Sequence, residues 1–294
     1  MQRKSVGKQL WDIVSPLAVK MAVALAVEVL VMLAFCMKEM EELITITDSE
    51  LLYERTTEIC MEVLQYSVEL SGLMALVTIP FLYWMMHKDR RKEKEALILQ
   101  KKKEPLKQYV MVVGVSLPFA LAFNNLIMLT DLARYSEAYQ ETAEVLYEPS
   151  ILVQILCLGI VIPIMEEMVF RGLIYRRVRN ATTPIRGMLC SAIFFGMYHG
   201  NLIQTIYGIG CGCLFVYLYE KFGTLWAPIL SHMLMNLLSI VLTEVGGFLW
   251  IFQSPGRMAF VTIASAAAAS AVFVMIQKME NPFIPVKKEE EQEP

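Results

Sequence analysis

The chain has 294 residues, 56% of them hydrophobic and only 19% charged, with a mean hydropathy of +0.50. That composition excludes an ordinary soluble domain and leaves a polytopic membrane protein, an all-α bundle of transmembrane helices. The formal net charge of -3 says little, because the charges are segregated along the chain, and no nucleic acid is expected as a partner.

A helix that crosses a hydrocarbon core of ~30 Å needs about 20 apolar residues. Candidate spans fall at about 13–36, 67–86, 109–130, 150–175, 187–203, 204–219, 225–245 and 258–277. The basic opening "MQRKSVGKQLWDIV" resembles a signal peptide. Its apolar stretch nevertheless runs on to about Cys36, contains Lys20 and Glu28, and lacks a small-x-small cleavage site, so it reads as a retained first span. Lys20, Glu28 and Glu69 read as isolated charges that snorkel or pair between helices. Asn124 and Asn125 read as polar glue between helices. The break "HGNLIQ" leaves two short spans between 187 and 219. About eight crossings with both termini cytoplasmic is the expectation, with seven or a re-entrant segment as the fallback.

Three blocks follow: N-terminal spans over 1–149, a core over 150–245, and a last span with its tail over 246–294. The basic stretches are the N-terminus with Arg3, Lys4 and Lys8, the loop 87–107, and "RRVRNATTPIR" at 176–186. They should face the cytoplasm. The acidic loops 37–66 and 131–149 should face outward. Trp11, Trp84 and Trp226 then fall at cytoplasmic ends and Trp250 at an outer end, where amphipathic rings belong. The tail "VKKEEEQEP" reads as disordered. A disulfide between Cys36 and Cys60 is the one pairing open to the six cysteines; the other four lie in apolar segments and read as buried thiols. Gly208 and Gly212 form a GxxxG pair that lets helices approach closely.

Ionisable groups inside spans are expensive, roughly 2.5 to 3.5 kcal/mol at mid-span, and are functional candidates by default. Three clusters occur, all in the C-terminal half. In "MEEMVFRG", Glu167 and Arg171 are four apart and share a helix face with the acid N-terminal to the base. Glu166 points about 100° away. So Arg171 neutralises Glu167 and leaves Glu166 as an unpaired carboxylate. Phe195 and His199 lie one turn apart in "FFGMYHG", and His232 and Asn236 lie four apart in "SHMLMN". By helical rise, Glu166, His199 and His232 can meet in one layer. A carboxylate, two imidazoles and a carboxamide in a dry pocket make a hydrolytic site: a base, partners for water, and donors for an oxyanion.

Here the chain resembles the CPBP family, the CAAX-protease and bacteriocin-processing intramembrane proteases, also called the Abi family. Its motifs EExxxR, FxxxH and HxxxN appear in order as "EEMVFR", "FGMYH" and "HMLMN", flanked by "FRGLIY" and "GTLWAPILSH". The likeness covers about residues 150–240. It implies that Glu166 activates water with help from His199, that His232 and Asn236 bind the oxyanion, and that Glu167, Arg171 and Phe195 support the site. Members are commonly labelled metalloproteases. Glu166, His199 and His232 form a His₂Glu set of a kind zinc accepts, which keeps zinc a candidate cofactor; the reading leans to Glu166 as base without an obligatory metal.

The expectation is therefore an endopeptidase acting on a membrane-associated, prenylated or leader peptide, in a bacterial plasma membrane. Two alternatives come from other classes. One is a non-catalytic bacteriocin-immunity or scaffold protein. The other is a proton-coupled transporter, against which stands the lack of a second copy of the polar clusters in the N-terminal half.

Overall fold

The computed structural model describes residues 6–95, 100–101, 105–130, 135–279 and 283–284. Arg3, Lys4, part of the 87–107 loop, residues 131–134 and the tail "VKKEEEQEP" lie outside the described residues. The first helices are α1 (Val6–Lys38), α2 (Met40–Thr45), α3 (Ser49–Leu64) and α4 (Ser67–Glu95). Next come α5 (Tyr109–Leu129), α6 (Glu137–Tyr147) and the long α7 (Ile151–Ala181). The chain closes with α8 (Pro184–Met197), α9 (Leu202–Phe222), α10 (Trp226–Glu244), α11 (Gly247–Phe252) and α12 (Pro255–Gln277). Apart from a two-residue antiparallel bridge between 100–101 and 283–284, the regular structure is helical, as the composition requires.

Among the described residues seven helices are long and apolar enough to cross a membrane. The chain is an integral membrane protein. The expectation of about eight full spans is corrected at one place. The segment expected at 187–203 is α8, only 14 residues, or about 21 Å at 1.5 Å per residue, short of the ~30 Å core. It ends because Gly200 takes φ +83° and the Asn201 side chain accepts a hydrogen bond from Gln204 N, starting α9. So α8 and α9 form a hairpin with His199 at its tip.

Polar contacts tie many helix ends together. Arg177 donates to Asp12 O (2.6 Å) and Ser15 Oγ (3.0 Å) of α1 and to Asp89 Oδ2 (2.6 Å) of α4. Arg176 pairs with Glu93, and Arg179 donates to Glu220 of α9. Lys221 donates to the carbonyls of Gln277, the last residue of α12, and Met279 just beyond it. The start of α1 and the ends of α4, α7, α9 and α12 therefore share one end, the one that carries the basic stretches. Which compartment it faces is a matter for the charge rule.

Tight packing of α8 on α9 follows from small residues, as the GxxxG pair suggested. A Cβ on Gly208 would sit 2.8 Å from Gly196 Cα, and one on Gly212 would sit 2.9 Å from Ala192 Cα. The Cys36–Cys60 pairing left open by the sequence does not form, since all six cysteines are free. Asn124 lines a cavity, and the buried carboxamide of Asn125 has no hydrogen-bond partner among the described residues, so neither shows the expected interhelical bond.

Candidate active site

The carboxylate pair sits in an α-helical stretch of α7 (Ile162–Glu167) between two π-helical stretches, Cys157–Val161 and Met168–Tyr175. The first π stretch has a local cause. Ile162 N donates five residues back to Cys157 O. The next bond of that series would run from residue 163 to Leu158 O, but Pro163 has no N–H. Leu158 O is thereby left free, and it accepts from Asn236 Nδ2 at 2.9 Å. A proline in α7 thus fixes a polar side chain of α10.

Glu167 and Arg171 are both fully buried and joined at 2.8 Å, as the helix-face argument expected. Arg171 also donates to Gly212 O at 3.3 Å, which the missing side chain of Gly212 permits. Its guanidinium lies 4.3 Å from the Phe195 ring centre and 4.9 Å from that of Phe215. Aromatic faces replace part of the hydration such a buried cation loses.

The sequence did not disclose a second partner of Glu167. His232 Nδ1 donates to the same Oε1 atom at 2.9 Å. That fixes the ring and turns Nε2 toward Glu166, whose Oε2 lies 3.8 Å away. Phe215 stacks on the imidazole at 4.8 Å between centres, and Phe195 meets it edge-on at 5.6 Å. His199 is held by the same logic: its Nδ1 faces Phe195 O at 2.8 Å, and since a carbonyl only accepts, Nδ1 carries the proton. In both rings Nδ1 is thus engaged, and Nε2 is the nitrogen left for the cavity.

Glu166, His199, His232, Asn236 and Phe195 all line one cavity of about 640 Å³ between α1, α4, α5, α6, α7, α8, α9, α10 and α11. Glu167 and Arg171 lie behind its wall. At the far end from the basic stretches, α6 contributes Tyr139 and Tyr147, whose phenols burial pushes up. Lys20 also lines this cavity, with its Nζ 4.0 Å from the Tyr198 ring centre. The expectation that Lys20 snorkels as an isolated charge is therefore replaced by a place beside the site. No sequence signal linked it to residues some 180 positions away.

A structural or catalytic zinc needs at least three protein ligands in one place. Glu166 and His232 are close, but among the described residues no three His, Cys, Asp or Glu side chains are grouped to hold an ion. The residues as they stand do not fit a three-ligand site.

Fold and site thus define an integral membrane protein with a buried carboxylate–imidazole centre. Residues 148–238 match the family model described as type II CAAX prenyl endopeptidase Rce1-like. The chain is also 29% identical over 111 residues to "Putative membrane peptidase YdiL" of Bacillus subtilis (strain 168), across 38% of this chain and 45% of that protein. The chain thus matches less than half the length of that relative. No solved structure matches the chain. The resemblance to the CPBP proteases carried by the three motifs is borne out over this segment.

Proposed function

We propose that the protein is an intramembrane endopeptidase that hydrolyses a peptide bond of a membrane-associated, prenylated or leader-peptide substrate, with Glu166 activating the water. The observation that carries this reading is the division of the two carboxylates. Glu167 is consumed by Arg171 and His232, whereas Glu166 faces the cavity and the Nε2 of the histidine that Glu167 orients.

In the step so arranged, Glu166 takes a proton from water as the oxygen attacks the scissile carbonyl. The carbonyl π pair moves to oxygen, and donors of His232 and Asn236 meet the resulting oxyanion. For His232 this requires the imidazolium, because Nδ1 is committed to Glu167; that carboxylate supplies the counter-charge. Collapse of the intermediate breaks the C–N bond, and the proton held by Glu166 passes to the leaving amine. His199 assists at the water. Tyr139 and Tyr147 line the end of the cavity away from the basic stretches.

The basic stretches at one end support an orientation with that end in the cytoplasm of a bacterial plasma membrane. The experiment is a substrate trap: Glu166→Gln carrying a photo-crosslinker at the cavity mouth, expressed in native membranes. A membrane peptide captured by this variant and shortened by the wild type is expected. Capture of a partner that the wild type leaves intact would replace the enzyme with a binding protein.

A further inference from the structure

A second cavity, of about 300 Å³, lies between α1, α3 and α4 and is lined by Val31, Phe35, Val63, Tyr66, Glu69 and Leu70. Phe35 is three residues from the end of α1 and Glu69 two from the start of α4, so this cavity sits at the end of the bundle away from the basic stretches. It and the candidate active site lie on opposite faces of α4. Ser67, Ser71 and Met74 face the active-site cavity, and Glu69, two residues from each serine, points about 200° away.

The sequence left Glu69 to snorkel or to pair between helices. In the fold its Oε2 is buried with no hydrogen-bond partner among the described residues. An acid in the first turn of a helix complements the helix dipole, which accounts for a carboxylate here but not for an oxygen sealed away without a donor. Such a group costs free energy until a donor or a cation reaches it. The other walls select the cation. Phe35 and Tyr66 set their ring centres 6.3 Å apart at the same cavity, and aromatic faces attract ammonium groups. The orphan acceptor favours a primary ammonium, which brings three N–H donors, over a quaternary one, which brings none.

The position makes the carrier a lipid. The span Leu10–Lys38 has 29 residues, about 44 Å at 1.5 Å per residue, so its last turn passes beyond the ~30 Å core to headgroup depth. Tyr66 is 47% exposed, which opens the cavity to the surface. Toward the middle of the membrane α1 turns Val29, Leu30 and Leu33 outward, on a helix whose spanning window is only 6% buried in the protein. An amine held at the cavity thus has an apolar ridge beneath it for acyl chains. We propose that this cavity binds the primary ammonium of a phosphatidylethanolamine-type headgroup, with Glu69 as its acceptor and Phe35 and Tyr66 as its aromatic walls. A lysine-bearing peptide fits less well, because a peptide in the active-site cavity lies on the other face of α4.

The test is native mass spectrometry of the full-length protein in neutral detergent with an equimolar mixture of phosphatidylethanolamine, phosphatidylcholine and phosphatidylglycerol carrying the same acyl chains. Phosphatidylethanolamine should be retained about 10-fold over phosphatidylcholine, the range of a charge-assisted hydrogen bond. Glu69→Gln should erase that preference without lowering the unfolding temperature in lipid-free detergent. Tyr66→Leu, at a half-exposed ring, should weaken retention roughly 3-fold and keeps the test available if Glu69→Gln does not fold. Equal retention of the two zwitterionic lipids would overturn the proposal, as would tighter retention of phosphatidylcholine or a preference that survives both variants. A lysine peptide that binds the wild type but not Glu69→Gln, with no preference among the lipids, would overturn it in favour of a peptide site. The readout is binding alone, so it stands or falls separately from the proteolytic reading.

Discussion

At the scale of single residues, the site divides one pair of adjacent carboxylates into two environments. Glu167 is fully buried and shared by Arg171 and His232, so removing either charge of its ion pair leaves the other stranded. Arg171→Met should cost about 3–5 kcal/mol of stability. The double change Glu167→Gln with Arg171→Met should recover much of that loss without recovering activity. Thermal unfolding in detergent reads both, and a double variant no more stable than the single one would contradict the pairing. Asn236→Leu removes an oxyanion donor and should lower kcat by roughly 10² to 10³, measured on a reporter peptide. Much of this was legible in the sequence, because i,i+4 spacing fixes a shared face: Glu167 with Arg171, and Phe195 with His199. The bond from His232 to Glu167 and the approach of Lys20 to Tyr198 were not, since they depend on how distant helices pack.

At the scale of elements, the departures from regular helix are what aim the side chains. Pro163 leaves Leu158 O without a backbone donor, and Asn236 takes the vacancy. Pro163→Ala supplies a competing N–H. It should loosen Asn236 and lower kcat, by up to ~100-fold if the amide moves an ångström, with no loss of stability in the unfolding curve. An unchanged kcat would show that the proline does not position Asn236. The α8–α9 hairpin depends on close backbone approach, so Gly208→Leu should overpack it, cost about 1–3 kcal/mol and displace His199. Gly7→Leu, with nothing within 4 Å of the added atom, is the matched control and should be neutral. Hydropathy located the long spans but not the shortness of α8, because its apolar count runs on into the turn at His199–Asn201. Hydropathy is equally blind to the hydrogen-bond register that makes parts of α7 π-helical.

At the scale of the whole molecule, ion pairs that are partly exposed are worth little singly, ~0–1 kcal/mol. Here they join the ends of α4, α7 and α9 at one side, and Arg177 hydrogen-bonds the start of α1 to the same end. In a variant stripped of its native cysteines, Lys88→Cys should resist a membrane-impermeant maleimide in intact cells and react after permeabilisation, while Glu54→Cys should react in intact cells. The reverse pattern would invert the proposed orientation.

The central claim is that Glu166 is the base of a peptide-bond hydrolysis inside this cavity. The most direct measurement is cleavage of a membrane-anchored reporter by purified wild-type and Glu166→Gln protein in liposomes, with matched unfolding temperatures. Loss of the wild-type rate by about 10²-fold or more is the predicted result; undiminished cleavage by the variant would contradict it.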